Sequence, residues 1–499
     1  MSDRLRIWLN QLFSTEGFRG PALTLLSGST AMLVLAYLAQ PILTRLYTEA
    51  EFGISDYFVS MMVVLISFTS LRYEDALMLP EDEKEAAGVV WLALTVLASF
   101  TALFGIVLIW RDEIAALLGF SAIAPWLLLV PPTLLAMRTA KVAELWLIRT
   151  KRFRHVTAGQ VSATSTMVAS RIGAGLPPVN AGAGGLIGGF FLGHVASMLV
   201  LGGSMLRQRA RLLFSAFSWS RIVEAARRYR RFPLFSTPSS LLNALVARLP
   251  FFLLPVFFDE ALLGLFGRAF NVLAVPLGLI GGAVARVFFV HAAEAHRDER
   301  LTKVSMTVHK RLVMLGLFPT LALLLAGPDI FAVVFGAPWR EAGVFVQYVG
   351  PWLFLGAVAS PLTRLFDVLE RQRLDFATSV LMFVAIAAAL VIGGRTGNAT
   401  TAFLLLGGAG VGIRIIHLAV LLRLAAVPYL TALHAYGRYT LFSLPGLALI
   451  AAALWIGPAW LTTLAAVVAG LIYGGLVLWK DKLLALRPES QSTSDNDAS

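Results

Sequence analysis

Apolar and polar positions alternate along this chain in blocks of tens of residues. Apolar stretches lie at about 22–46, 53–79, 86–110, 121–148, 155–175, 181–206, 232–257, 261–290, 308–335, 342–369, 374–394, 399–424, 436–457 and 459–480. Crossing a bilayer core takes roughly 20 helical residues at about 1.5 Å each, and helices satisfy every backbone group without water. The pattern therefore predicts an all-α polytopic membrane protein with about 14 transmembrane helices. Stretches much longer than that imply tilt or extension beyond the bilayer. The fifth stretch has Thr, Ser and Gly scattered along it and reads as a helix lining a cavity. Ahead of the first, residues 1–20 mix Ile7, Trp8, Leu9, Leu12 and Phe13 with polar neighbours, the pattern of an interfacial segment. Residues 488–499 lack apolar anchors and read as a disordered tail.

The pattern also repeats. YTEAEFG at Tyr47–Gly53 matches FFDEALLG at Phe257–Gly264, pairing Glu49 with Glu260 and Gly53 with Gly264 at an offset of 211. VPP at Val130–Pro132 matches VGP at Val349–Pro351 at an offset near 220. Six stretches, an even number, separate the copies, so both halves have one orientation. This predicts two six-helix lobes in parallel pseudo-two-fold repeat: 21–206 and 232–424, joined by a basic loop at 207–231. Residues 425–487 add two spans outside the repeat. A cavity between two such lobes, opened alternately to each side, is a transporter plan.

Charge orients the helices. Assigned alternately to two sides, the connecting segments carry 28 Lys and Arg on one side and five on the other: Arg45, Arg111, Arg171, Arg340 and Arg395. The rich side holds the 207–231 loop with eight Arg. The positive-inside bias makes that side, and both termini, cytoplasmic. Composition agrees with a membrane protein: 58% hydrophobic and 14% charged residues, with mean hydropathy +0.77. The net charge of +12 then belongs to loops that meet anionic headgroups, and no nucleic-acid partner is expected.

The remaining eight cations lie inside the stretches and bear on function, because a charge at a helix centre costs about 2.5–3.5 kcal/mol and normally faces a bundle interior or water. They are Arg72, Arg138, Lys141, Arg248, Arg268, Arg286, Arg364 and Arg414, against Asp56, Glu74, Asp75, Glu144 and Asp367. Lys141 and Glu144, like Arg364 and Asp367, are spaced to pair on one helix. Arg72, Glu74, Asp75 and Arg286 lie near the basic end, where snorkelling or pairing would serve them. Arg248, Arg268 and Arg414 have no acid within four residues along their own helices, so partners come from another helix, water or a ligand. Arg248, Arg268, Arg414, Arg138 and Lys141 are the candidates for contacting an anionic substrate, since a guanidinium grips two phosphate oxygens at once. Asp56, Glu144, Arg72 and Glu74 are the candidates for coupling or gating.

Other chemistry is thin. No Cys is present, and the seven His show no paired metal spacing, so no metal or cofactor is expected. GAGG at Gly182–Gly185 lacks a strand–turn–helix setting and no GK[ST] follows, which argues against a nucleotide loop. The glycine pairs read as close helix packing. Prolines inside the spans, such as Pro41, Pro250 and Pro276, supply kinks that a rocking transporter can use.

The segment Gln40–Ala86 (LTRLYT, the EFG turn and LRYEDALMLPED) resembles the opening of Wzx-type oligosaccharide flippases, the polysaccharide biosynthesis proteins of the multidrug/oligosaccharidyl-lipid/polysaccharide exporter superfamily. The resemblance extends through the two-lobe duplication over about residues 20–425. It implies a MATE-like fold, no enzymatic activity, and transfer of an undecaprenyl-pyrophosphate-type oligosaccharide from the inner to the outer leaflet of the bacterial inner membrane, for O-antigen, capsule or exopolysaccharide. Expected partners are that lipid-linked substrate, membrane lipids, and the polymerase and glycosyltransferases of its pathway; the protein itself is expected to be a monomer. Many relatives have twelve helices, and the last two spans depart from them. Two alternatives stay open: a cation-coupled multidrug antiporter, which calls for cavity acids, and a membrane glycosyltransferase or polymerase, which calls for a larger outer loop or acid cluster.

Overall fold

A computed structural model describes residue 32 and residues 34–297 and 300–480. The interfacial segment 1–20, the tail 488–499 and the side chain of Arg286 lie outside the described residues. The longer helices are α1 Val34–Leu46, α2 Glu49–Ile66, α3 Glu83–Val107, α4 Val130–Arg149, α5 Phe153–Gly175, α6 Ala183–Ser215, α7 Trp219–Arg228, α8 Thr237–Phe257, α9 Glu260–Arg297, α10 Leu301–Phe335, α11 Arg340–Ala359, α12 Gln372–Arg395, α13 Ala399–Leu424, α14 Tyr429–Ile456 and α15 Ala459–Lys480. Among them, α7 lies in the 207–231 linker and the other fourteen correspond to the expected spans.

Local chemistry sets several boundaries. Thr48 Oγ1 accepts from the Glu51 amide (3.3 Å) while Glu51 accepts from the Thr48 amide (2.8 Å), a reciprocal cap that starts α2. Asp82 caps α3 in the same sense. The stretch expected at 53–79 is not one helix. It stops at Ile66, turns through Leu71 and Arg72 at φ 50° and 56°, and ends in a 3₁₀ segment, Tyr73–Met78. The stretch at 342–369 likewise breaks after Ala359 into a 3₁₀ turn and a short helix.

By length and apolarity, eleven described helices qualify as membrane spans, and α1, α2 and α5 do not. The described part of α1 is short. Three charges, Glu49, Glu51 and Asp56, set α2 apart, and hydroxyl side chains lower the hydropathy of α5. Both polar helices lie beside the site described below.

Buried apolar side chains form three clusters. One joins the C-terminal halves of α1, α5, α8, α10 and α12 to the N-terminal halves of α2, α4, α6, α9, α11 and α13; Phe58, Leu186, Phe266, Phe345 and Phe403 are members from both lobes. A second is confined to the first lobe and linker, with Leu92, Trp146, Leu201 and Tyr229. A third is confined to the second lobe with α14 and α15, and includes Val313, Phe366, Leu421 and Tyr473. Neighbouring helices thus run antiparallel, and the lobes share a core at one end only. At the other end each lobe has a core of its own. Arg149, Lys151, the linker arginines, Lys303, Arg371 and Arg423 all lie at this divided end, hereafter the basic end.

The linker folds back on the first lobe. In α7, Ile222 and Ala225 are buried, Arg228 pairs with Glu85 (2.9 Å), and Tyr229 donates to Glu85 (2.7 Å). The two additional helices dock on α10, where Tyr473 donates to the Met314 carbonyl (2.6 Å) and stacks on Phe318. An apolar groove of about 700 Å³ runs between α10 and α15.

Candidate functional site

The two copies of the repeated turn meet on the pseudo-two-fold axis, at the end opposite the basic one. A Cβ on Gly53 would overlap the Glu260 carbonyl, and a Cβ on Gly264 would overlap the Glu49 carbonyl. The residues paired by the 211-residue offset are therefore also paired in space, backbone against backbone. Only glycine permits this approach.

Three further contacts seal the same end. Arg45 donates to the Val334 carbonyl (3.0 Å) and the Val333 carbonyl (3.3 Å), the exposed C-terminal acceptors of α10. Trp339 Nε1 donates to the Thr44 carbonyl (3.0 Å). Phe52 meets Trp339 edge to face at 5.2 Å. Arg45, one of the five cations of the cation-poor side, is thus a bridge between lobes.

Directly beneath this seal lies a cluster of charges from four helices. Arg268 on α9 is 5% exposed, donates to Gln40 Oε1 on α1 (2.5 Å) and stacks over Phe52 on α2, with its Cζ 4.3 Å from the ring centroid. The rings of Trp339 and Phe335 complete its enclosure. Asp56 on α2 abuts α9 at Gly267, where a side chain would occupy the place of its carboxylate. Three cations act on that carboxylate: Arg268, Arg248 on α8 and Arg171 on α5. Arg248 lies over the Phe251 ring at 5.4 Å. Arg171 donates to the Leu186 carbonyl (3.0 Å), and its own carbonyl accepts from Tyr47 (2.5 Å).

One carboxylate among three guanidiniums leaves an excess of positive charge. Asp56 Oδ2 and Arg268 Nε are sealed and have no hydrogen-bond partner among the described residues. Asp56, Arg171 and Arg248 nevertheless keep some accessible surface. Charged groups this deep in a helix bundle normally face its interior or water. Such an arrangement can take up an anion with several oxygens, and donors for a second phosphate are within the same group.

The other candidates are placed elsewhere. Arg138 is enclosed against Glu74 in a buried ion pair, with side chains 10% and 1% exposed. Arg72 pairs with Asp75 (2.6 Å) and donates to Ser240 at the start of α8 (2.7 Å). Lys141 pairs with Glu144 (3.0 Å) on one half-exposed face of α4, and Arg364 with Asp367 (3.1 Å). Arg414 lies inside the second lobe beside Gly356 and His417. Thus Arg248, Arg268 and Asp56 come together, while Arg138, Lys141, Arg414, Glu144, Arg72 and Glu74 stand apart from them.

Arg171, Gln40 and Tyr37 join the cluster without having been candidates. Counting Arg171 with the loops hid it; it lies one turn inside α5, the stretch whose hydroxyls already marked it as cavity-lining. Tyr37 donates to the Asn271 carbonyl (2.9 Å) and is itself influenced by Arg268.

Known proteins share this plan. Residues 42–343 match a family model described as polysaccharide biosynthesis protein. The chain is 27% identical over 181 residues to the lipopolysaccharide biosynthesis protein WzxC of Escherichia coli (strain K12), which is 35% of this chain and 36% of that protein. That match spans little more than a third of the relative's length. Among solved structures, the lipid II flippase MurJ in an inward closed conformation superposes with a TM-score of 0.69 at 12% identity, covering 91% of this chain and 99% of the other. An inward-facing multidrug resistance MATE family transporter of the MOP superfamily superposes with a TM-score of 0.64 at 15% identity, covering 81% and 98%. At these identities the superpositions establish a shared fold.

Proposed function

The chain belongs to the polysaccharide biosynthesis protein family, and from that premise we propose that it is a flippase for a lipid-linked oligosaccharide carried on a pyrophosphate, moving it from the inner to the outer leaflet of a bacterial inner membrane by alternating access. The observation that carries this reading is the cluster of Arg171, Arg248 and Arg268 around the single acid Asp56, beneath the inter-lobe seal. A pyrophosphate offers several anionic oxygens in a small volume, and guanidinium forks match that geometry. A cationic drug would meet net repulsion there, which disfavours the antiporter alternative.

With the basic end and both termini cytoplasmic, the divided end of the lobes faces the leaflet where the substrate is made. The polar head enters between the lobes while the polyprenyl tail stays in lipid. In the closed seal Arg268, a residue of the second lobe, is held by Gln40 and Phe52 of the first and attracted by the Asp56 carboxylate. A phosphate that draws Arg268 away replaces contacts that tie the lobes together, so binding weakens the seal. Rocking then parts Gly53 from Gly264 and releases the head on the far side. Asp56 is the coupling candidate, because it is the carboxylate whose charge acts on all three guanidiniums. Arg138–Glu74 braces the first lobe, and Arg72, paired with Asp75, ties it to Ser240 of the second. The protein acts as a monomer and receives its substrate from glycosyltransferases, with a polymerase downstream.

The test is leaflet translocation of a defined lipid-linked oligosaccharide by the full chain in liposomes. Arg248→Ala and Arg268→Ala are expected to lower the rate with the protein still inserted. The corresponding Lys variants retain part of it, because charge survives and the bidentate fork does not. Full rate in the Arg248→Ala/Arg268→Ala double variant would remove these arginines from transport.

A further inference from the structure

Arg414 has a setting unlike that of every other intramembrane arginine described. Asp56 acts on Arg171, Arg248 and Arg268, Glu74 holds Arg138, Asp75 holds Arg72 and Asp367 holds Arg364. No acidic group among the described residues acts on Arg414, nor do the cations of the axial cluster. It is electrostatically separate from the site beneath the seal.

Its position follows from how α13 packs on α11. Gly407 lies against the Tyr348 carbonyl and Gly410 against the Trp352 ring, so small residues draw the helices together. One turn further, Gly356 of α11 leaves room that the guanidinium fills: a Cβ there would be 3.2 Å from Arg414 Nε and 3.5 Å from Cζ. On the other side Nη1 stands 3.5 Å from His417 Nδ1. The His417 ring is 5% exposed and stacks on Phe366 at 5.8 Å.

The unmet hydrogen-bonding capacity here is all of one kind. Among the described residues, the sealed Arg414 Nε has no acceptor and the sealed His417 Nε2 has no partner. With Nδ1 turned to the Arg414 N–H as acceptor, the neutral imidazole carries its proton on Nε2, a second donor. Donors without acceptors beside an uncompensated cation are the chemistry of an anion site. Arg414 as a whole is only partly buried. The nearby Trp352, against Gly410, and Phe366, against His417, are buried apolar residues, which favours a small, weakly hydrated ion over a glycan phosphate.

We propose that Arg414 and His417 form an anion site inside the second lobe that holds a small inorganic anion of the chloride class as a resident counter-ion, distinct from the axial cluster. The site fixes the contact between α11 and α13 and does not depend on what the axial cluster transports.

The test is thermal unfolding of the detergent-solubilised full chain in sodium chloride against sodium gluconate at equal ionic strength, with sodium pyrophosphate as a third arm. A saturable rise in Tm with chloride is expected in the unsubstituted protein. It should be lost in Arg414→Gln, weakened in His417→Ala and retained in Arg268→Gln. If Arg414→Gln does not fold, Arg414→Lys and bromide anomalous scattering from crystals of the unsubstituted protein decide: a bromide peak beside residue 414 supports the site, and a map without one overturns it. Equal Tm in chloride and gluconate overturns it too. So does an Arg414-dependent shift produced by pyrophosphate and not by chloride, which would return Arg414 to the substrate path.

Discussion

Gly53→Ala tests the seal most directly. The added methyl meets the Glu260 carbonyl and the backbone nitrogen of Gly264. Both are main-chain atoms in the first turns of a helix, and neither can rotate away. The two turns are also fixed locally, by the Thr48–Glu51 cap on one side and by Asp259, which accepts from the Leu262 amide (2.9 Å), on the other. The clash is therefore relieved by separating the lobes. Overpacking of this kind costs about 1–3 kcal/mol, applied to the sealed state alone, which shifts the sealed population roughly 5- to 150-fold. The pseudo-symmetric Gly264→Ala should act alike, and the double variant should fall short of the sum because both methyls relieve one another's contact. The chain has no Cys, so spin labels can be placed at Glu113→Cys and Glu341→Cys, exposed positions at the sealed end of different lobes. Pulsed electron resonance should show the inter-lobe distance shifting to longer values in each variant, with slower translocation in liposomes. A distance distribution unchanged by the double substitution, in protein that still elutes as one folded species, would refute the idea that these glycines set the seal.

Glu74→Ala should leave Arg138 charged and enclosed, costing about 3–5 kcal/mol; Glu74→Leu with Arg138→Met should recover most of it, and a single variant unfolding at the parental Tm would contradict the pairing. Burial and the Glu85 carboxylate push the Tyr229 phenol up to about 12, so its docking contribution is complete below about pH 10 and lost as pH rises from 10 to 12. Thiol labelling of Ala225→Cys, a linker position only 5% exposed, should accelerate across that window and lose the step in Tyr229→Phe. Reporter fusions within the 207–231 linker should report a cytoplasmic location; a consistent external signal would invert the assigned orientation.

How much of this was legible beforehand depends on the range of the interaction concerned. Burial of backbone in lipid is settled within a single helix, so runs of apolar residues located the spans, and charge at their ends distinguished the two sides. Helix breaks such as Leu71–Arg72 escaped, because the residues around them are apolar enough to continue the pattern. The repeat was legible as sequence, and Gly53 and Gly264 were already paired by it. That the two turns press on each other was not, since a repeat fixes equivalence and leaves contact open.

The intramembrane charges show the same division. Spacing along a helix paired Lys141 with Glu144 and Arg364 with Asp367, as the structure has them, because those partners lie three residues apart on one face. It could only leave Arg248, Arg268 and Arg414 without local partners. Tertiary structure then separated these three, with Arg248 and Arg268 around Asp56 and Arg414 acted on by no acid among the described residues, and it placed Arg138 against Glu74. It also moved Arg171 from a loop count into the same cluster. The cost of a charge in the membrane is fixed by residue type and depth, which sequence contains. What offsets that cost lies on another helix, and only the packing of the helices decides which one.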